Sequence, residues 1–440
     1  MYDSAACHVI KKILIVLSFT IIIIIDIGST RTMDLPSSPN PVGSGARAIG
    51  MGGSFIGVAD DATAASWNPG GLIHLKKKEY SIVGAIFQRV EDNTFDLTPD
   101  ASGKQGVSGD NLNYLSFAYP FTALNCNMVF SLNYQHLYNF CREWDTSYSL
   151  FEEQLRYSNE IHYKNKGQLS AIGFAYAIKL HQHFFCGATL NLWKDNLNEN
   201  GWEEKSNNTI ITVRNDTSFH YEIIQKHKYN FSGINLNLGF IWRPTNKLTI
   251  GGVLKTPFKA DLEHEERIAI IFNESEPEIE TSADSQKINM PMSFGLGLAY
   301  RYSDHLTVST DIYHTRWQNF YREDSHGERF SPITGEKYET SDIKPGWQVR
   351  TGMEYLHIAP EYVIPFRGGI FYDPAPAEGK LDKFWGFSLG SGIGFKQYFF
   401  DFAYQFRFGK NIGTSVLQDF GFSQNVYEHL FYMSMIYHYF

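Results

Sequence analysis

Residues 292–302 read MSFGLGLAYRY, and the fold follows from how they alternate. Met292, Phe294, Leu296, Leu298, Tyr300 and Tyr302 take turns with Ser293, Gly295, Gly297, Ala299 and Arg301. A period of two is that of a β-strand. Large apolar groups on one face and small or polar ones on the other suit a wall with hydrocarbon outside and a lumen inside. The same rhythm runs through residues 128–135 (MVFSLNYQ), 234–242 (INLNLGFIW) and 385–395 (WGFSLGSGIGF).

About fourteen segments have the length a tilted membrane-spanning strand requires. They centre near 80–88, 112–120, 126–138, 167–180, 184–195, 228–243, 248–259, 287–302, 306–317, 345–357, 363–372, 384–395, 398–408 and 428–440. Short and long links alternate between them. The short ones fall at 121–125, 181–183, 244–247, 303–305, 358–362 and 396–397, and long ones at 139–166, 196–227, 260–286 and 316–344. Outer-membrane barrels pair short periplasmic turns with long external loops. The expected fold is therefore an all-β transmembrane antiparallel barrel, with both chain ends in the periplasm. The last residues, HLFYMSMIYHYF, alternate up to Phe440, the kind of terminal aromatic strand that the barrel-assembly machinery reads.

Composition agrees. Aromatic residues make up 15% of the 440, with 34 Phe and 26 Tyr, more than a soluble enzyme needs, while mean hydropathy is only -0.27. A helical membrane protein would show several apolar runs of about 20 residues. The one long run, 13–25, follows Lys11 and Lys12 and precedes Gly28, Ser29 and Thr30, so residues 1–30 read as a signal peptide. A net charge of -9 argues against nucleic acid. Cys7, Cys126, Cys141 and Cys186 lack metal-type spacing, and His181 and His183 lack a third ligand nearby. No nucleophile elbow or zinc-protease helix is present, and neither an enzyme nor a cofactor is expected.

Residues 43–72, GSGARAIGMGGSFIGVADDATAASWNPGGL, are too apolar for a linker and too glycine-rich for a long helix. They read as part of a lumenal plug over residues 31–78, ahead of a barrel over 79–440. This stretch resembles the N-terminal segment of FadL/TodX-type outer-membrane transporters of long-chain fatty acids and aromatic hydrocarbons. Residues 290–320 and the pair WQVRTGMEYLH (347–357) and FRGGIFYDPAP (366–376) resemble paired strands of that family. The resemblance implies fourteen strands, a plug motif at Gly50, Gly52, Gly53, Asp60, Asp61, Asn68 and Pro69, and uptake of hydrophobic ligands, long-chain fatty acids first, through a membrane rich in lipopolysaccharide. Where the family has Asn-Pro-Ala, this chain has Asn68, Pro69 and Gly70. The family's third strand is kinked beside a lateral window; here residues 126–138 contain no glycine or proline, and the nearest break is Pro120. Secretion barrels of the PorV type share the N-terminal motif, so a binding and assembly role in protein secretion is the alternative.

Several residues are candidates for contact with plug or ligand. Asp311, Arg350, Glu354, Arg367, Asp401 and Arg407 fall on the lumenal side of their strands, where charges need pairing or water. Arg350, Arg367 and Arg407 are expected to meet plug carboxylates or a ligand carboxylate. Asp60 and Asp61 would cap a short helix or contact the wall. Gly390, Gly392 and Gly394 are expected to seat the plug. Two patches in external loops, with Ile210 and Ile211 in one and Ile268, Ile270 and Phe272 in the other, are expected to form a docking groove for a greasy ligand or the walls of extended strands.

Overall fold

The computed structural model describes Met33, Leu35, residues 38–40 and residues 43–439, except 153–154, 215 and 416–420. Residues 1–30, expected to be a signal peptide and including Cys7, and Phe440 lie outside the described residues. Twenty strands follow one another: β1 (Lys78–Phe95), β2 (Gly103–Ala123), β3 (Cys126–Asn139), β4 (Arg142–Glu152), β5 (Leu155–His181), β6 (Phe184–Trp193), β7 (Gly201–Arg214), β8 (Thr217–Trp242), β9 (Leu248–Lys255) and β10 (Phe258–Phe272). Then come β11 (Glu278–Met290), β12 (Ser293–Arg301), β13 (Leu306–Thr315), β14 (Tyr321–Glu323), β15 (Arg329–Phe330), β16 (Gly346–Ile358), β17 (Tyr362–Tyr372), β18 (Phe384–Phe395), β19 (Tyr398–Ile412) and β20 (Phe422–Tyr439).

Fourteen of these close into an antiparallel ring: β1, β2, β3, β5, β6, β8, β9, β12, β13, β16, β17, β18, β19 and β20. The seam is complete, from Lys78 opposite Tyr439 to Phe95 opposite Phe422. Each ring strand overlaps one of the fourteen segments expected from alternation, though 248–259 runs past β9 into β10 and 287–302 joins the end of β11 to β12. Leu296, Leu298, Trp385, Phe387 and Leu389 are exposed on the outside, while Gly295, Gly297, Gly386 and Ser388 face inward. Aromatic clusters border this apolar band. Trp347 packs on His314 and Tyr372 on Trp385 at the long-link end, and Tyr398 meets Tyr437 at the short-turn end. Ten residue steps separate Trp385 from Phe395, roughly 34 Å along the strand and roughly 25 Å along the axis of a barrel with strands tilted about 40°. That height matches a bilayer's apolar core.

The long links differ from expectation. Three of the four are not loops but strands: β4, β7 and β10 pair with the overlong ends of β5 and β8, β11 pairs with β10, and together they carry the wall beyond the ring, while 316–344 carries the short β14 and β15 between turns. Their outward positions are charged, as in Lys259, Asp261, Glu263, Glu265 and Arg267 of β10. A strand with water on one side needs no apolar outer face, so the pattern that marks a lipid-facing strand is missing there.

The N-terminal stretch runs inside the ring. The Met33 N–H donates to Pro332 O at the long-link end (2.6 Å), and the chain then descends to Leu75, just before β1 at the short-turn end. Its local structure is one turn of helix at a time, α1 (Ala46–Gly50), α2 (Ala64–Trp67) and a 3₁₀ turn over Pro69–His74, because its glycines and Pro69 stop anything longer. Ala46, Ile49, Met51, Phe55, Ile56, Trp67 and Leu72 are buried with inward wall residues Ala118, Val129, Ala175, Phe185, Val253 and Tyr313.

Candidate transport path

Inside the ring the N-terminal segment is held by backbone contacts on many strands. Phe55 N–H and Ile56 N–H both donate to the fully buried Asp311 carboxylate (2.6 and 2.8 Å). Ser388 accepts from Gly52 N–H (2.7 Å) and donates to Gly50 O (3.1 Å). Ser309 donates to Ser54 O, Tyr114 to Ala62 O and Thr189 to Ala65 O, while Ala62 N–H donates to Glu79. Asn68 donates to Ile56 O (3.0 Å) and Phe240 O (2.8 Å) and accepts from Gly70 N–H, a turn that Pro69 continues. A methyl group on Gly70 would stand 3.0 Å from Phe240 Cα, which accounts for glycine where the family has alanine.

Glycine makes the fit possible, though not where the sequence pointed. Side-chain atoms on Gly352 or Gly369 would overlap the backbone of Met51 and Gly52, and Gly187, Gly239 and Gly251 are likewise filled by Pro69, Asn68 and Ile56. Of the three expected seats, only Gly390 touches the segment, with its missing methyl 2.9 Å from Gly50 Cα. Gly392 faces Asp401 and Phe400, and Gly394 faces the Phe399 ring, all within the wall. Gly53 packs against Trp67 and Arg350.

The charged candidates form two ion-pair chains. Arg47 joins Asp60 (2.6 Å) and Asp61 (3.4 Å) to Glu354 (2.9 Å), and Glu354 continues to Arg367 and Asp401 (both 2.6 Å). Asp61 also accepts from Thr63 N–H and Oγ1–H, so it caps the turn and meets the ion pair at once. Burial pushes its carboxyl above the ordinary range against the pull of Arg47. Arg367 is thus committed to structure. The second chain runs Arg350–Asp373–Arg407–Glu428–Arg89–Glu91–Arg142, and Arg350 also donates to Gly52 O (3.1 Å). Asp373, Glu428, Arg89 and Glu91 were not singled out from sequence. The Arg89-x-Glu91 spacing, two residues on one strand face, was the available signal.

Among the described residues, two cavities lie between the segment and the long-link end. One, of ≈ 690 Å³, is lined by Gln135, Asn191, Asn237, Trp193, Trp317 and Lys255. The other, of ≈ 1050 Å³, sets Phe87, Phe371, Leu430 and Tyr432 against Arg89, Arg350 and Arg407.

The apolar patches separate by strand parity. Ile210 is buried with Phe95, Tyr148, Tyr157, Ile161 and Phe422, and Tyr221 lies opposite it. Tyr221 is in turn opposite Phe272, with rings 4.8 Å apart, and Ile270 is opposite Ile223. Ile268 lies on the same face. Ile211, next to Ile210 on the same strand, points to the opposite face and does not join them, although Ile270 and Phe272 are about as exposed as it is. These residues line extended strands rather than loops.

The third ring strand is hydrogen-bonded along both edges. β3 pairs with β2 from Gln135 to Cys126 and with β5 from Met128 to Asn139, slipping by one residue at Leu137; Pro120 sits within the first ladder, opposite Val129.

The sequence of residues 42–411 matches the family described as outer membrane protein transport protein (OMPP1/FadL/TodX). The chain belongs to that family. OMPP1/FadL/TodX proteins are outer membrane transporters of hydrophobic compounds, not enzymes. Solved structures share the fold at low identity. A FadL homologue from Pseudomonas aeruginosa is 12% identical, with 90% of this chain and 99% of that one covered and a TM-score of 0.60. The Pseudomonas putida toluene transporter TodX is 14% identical over 91% and 99% at 0.56, and the Ralstonia pickettii toluene transporter TbuX 13% over 91% and 100% at 0.52. No curated protein sequence matches.

His74 ties the segment to pH. Its ring sits edge-on to Phe185 (5.3 Å), and burial, helped by nearby Arg243, lowers its pKa to about 4. An opened segment would bind the proton near pH 6.5, so between roughly pH 4 and 6.5 the open state carries more protons. The closed state is therefore fully favoured above that window and loses stability as pH falls through it. Hydrogen exchange at residues 70–75, corrected for intrinsic rate, should accelerate between about pH 7.5 and about pH 5, and His74→Gln should flatten the response. An equal response in both proteins would refute the assignment.

Proposed function

We propose that this transporter takes up amphipathic hydrophobic molecules, long-chain fatty acids foremost, with residues 31–78 acting as the plug. On this reading the short-turn end and both termini face the periplasm, the extended wall rises through the lipopolysaccharide layer, and the barrel-assembly machinery inserts the chain. Cargo enters at the long-link end, passes through the two cavities and leaves when the plug shifts. Diffusion drives the flux, and cargo shifts the plug only as far as it prefers the open state.

The supporting observation is the larger cavity, whose carbon wall faces guanidiniums. A carboxylate with an alkyl chain suits both sides. A plain hydrocarbon such as toluene, the cargo named for TodX and TbuX, could fill the carbon wall but would gain nothing from the guanidiniums. Cells carrying the gene should accumulate labelled oleate faster than cells without it and show little gain with toluene. Deleting residues 43–72 should abolish the selectivity and leave an open pore. Equal oleate uptake in all three strains would reject transport, and a toluene-only gain would reject the fatty-acid cargo.

A further inference from the structure

The two cavities meet at one place. Asn40, in the stretch above the plug, and Leu137, at the slip in β3, line both. The Asn40 amide is fastened three ways. Its Nδ2 donates to Asp373 Oδ1 (3.0 Å) and Pro374 O (2.8 Å), and its Oδ1 accepts from Trp317 Nε1–H (3.0 Å). Ser38 Oγ–H donates to the other oxygen of the same carboxylate (2.7 Å). Asp373 is only 1% exposed and faces Arg407 at 3.2 Å and Arg350 at 3.7 Å. One carboxylate thus holds the N-terminal stretch with one hand and two guanidiniums with the other.

We propose that Asp373 is a latch, which keeps Asn40 across the passage between the cavities until a cargo carboxylate claims Arg350 and Arg407. Arg350 and Arg407 both line the larger cavity, and Arg350 stands 3.7 Å from Asp373, beyond hydrogen-bond distance, so a cargo carboxylate that bonds both guanidiniums directly competes with Asp373 for them. Asp373 lines the larger cavity, so its loosened oxygens turn toward that open space rather than into apolar packing. With its anchor drawn away, Asn40 loses its charged acceptor and Ser38 its bond to the wall at Asp373, and the passage widens. A neutral hydrocarbon has no charge to offer and leaves the latch shut. The trigger rests on the fatty-acid reading above; the latch itself does not.

The full chain, with Cys7, Cys126, Cys141 and Cys186 changed to serine, carries a single reporter, Pro39→Cys, which lines the smaller cavity. Reconstituted in liposomes, it is treated with a small charged maleimide, alone or with laurate or dodecane. Laurate should raise the labelling rate about tenfold, the effect of losing one to two hydrogen bonds, and dodecane should not. Adding Asp373→Asn should give fast labelling without laurate, and laurate should then add nothing. Asn40→Ala should behave the same way, and heat-modifiable gel migration of both variants certifies the folded barrel. Parental labelling rates in both folded variants overturn the latch. Fast labelling in the variants, with no response of the parent to laurate, keeps the latch and overturns the carboxylate trigger.

Discussion

Asp311→Ala should release the N-terminal segment from the wall. The carboxylate accepts two buried backbone N–H groups, from Phe55 and Ile56, and alanine leaves both without a partner. Each orphaned donor costs about 1–3 kcal/mol, so opening should become at least about thirtyfold more frequent. The same inward face offers no second acceptor in place: Ser309 donates to Ser54 O and Gly297 has no side chain. Asp311→Asn keeps a carbonyl at the same position and should stay within about tenfold of the parent. Exchange at the Phe55 and Ile56 amides reads the difference directly, and unchanged protection in the alanine variant would show that the segment is held elsewhere.

Gly352→Val should have a comparable effect by a different route. The added side chain meets the Met51 carbonyl, which belongs to the segment, while its own strand is hydrogen-bonded to β13 and β17 on either side. Neither backbone can yield as a flexible side chain would, so the cost reaches or exceeds the usual 1–3 kcal/mol of overpacking. The ring does not depend on this contact and should still form. The expected result is a folded barrel with a displaced N-terminal segment, visible as at least about a tenfold gain in ion conductance in planar bilayers. Gly84→Val is the control, because no atom lies within 4 Å of the position its Cβ would take. Silent bilayers with a folded Gly352→Val barrel would argue that the segment tolerates displacement at Met51 without opening.

The ring was legible because lipid imposes a rule on each strand separately. Outward side chains such as Leu296 and Trp385 must be apolar whatever their neighbours are, so period two appears in the local sequence. The extended wall was not, since Lys259, Glu263 and Arg267 of β10 face water and look like loop residues until Leu262 and His264 are seen buried behind them. Arg367 and Glu354 were recognised as lumenal from parity alone. Their union with Arg47 and Asp60 spans about 300 positions of chain, and no spacing in the sequence encodes it.

Alternation, link lengths and the glycine-rich N-terminal stretch settled the number of ring strands, their facing and their alternating short and long connections, because each depends on residues close together in the chain. Which glycines receive the segment, which arginines are already paired, and that Asp373 joins the N-terminal stretch to the wall were decided only when the ring closed. Closure brings inward positions of strands far apart in sequence within a few ångströms of one another, and contacts of that kind leave no period to read.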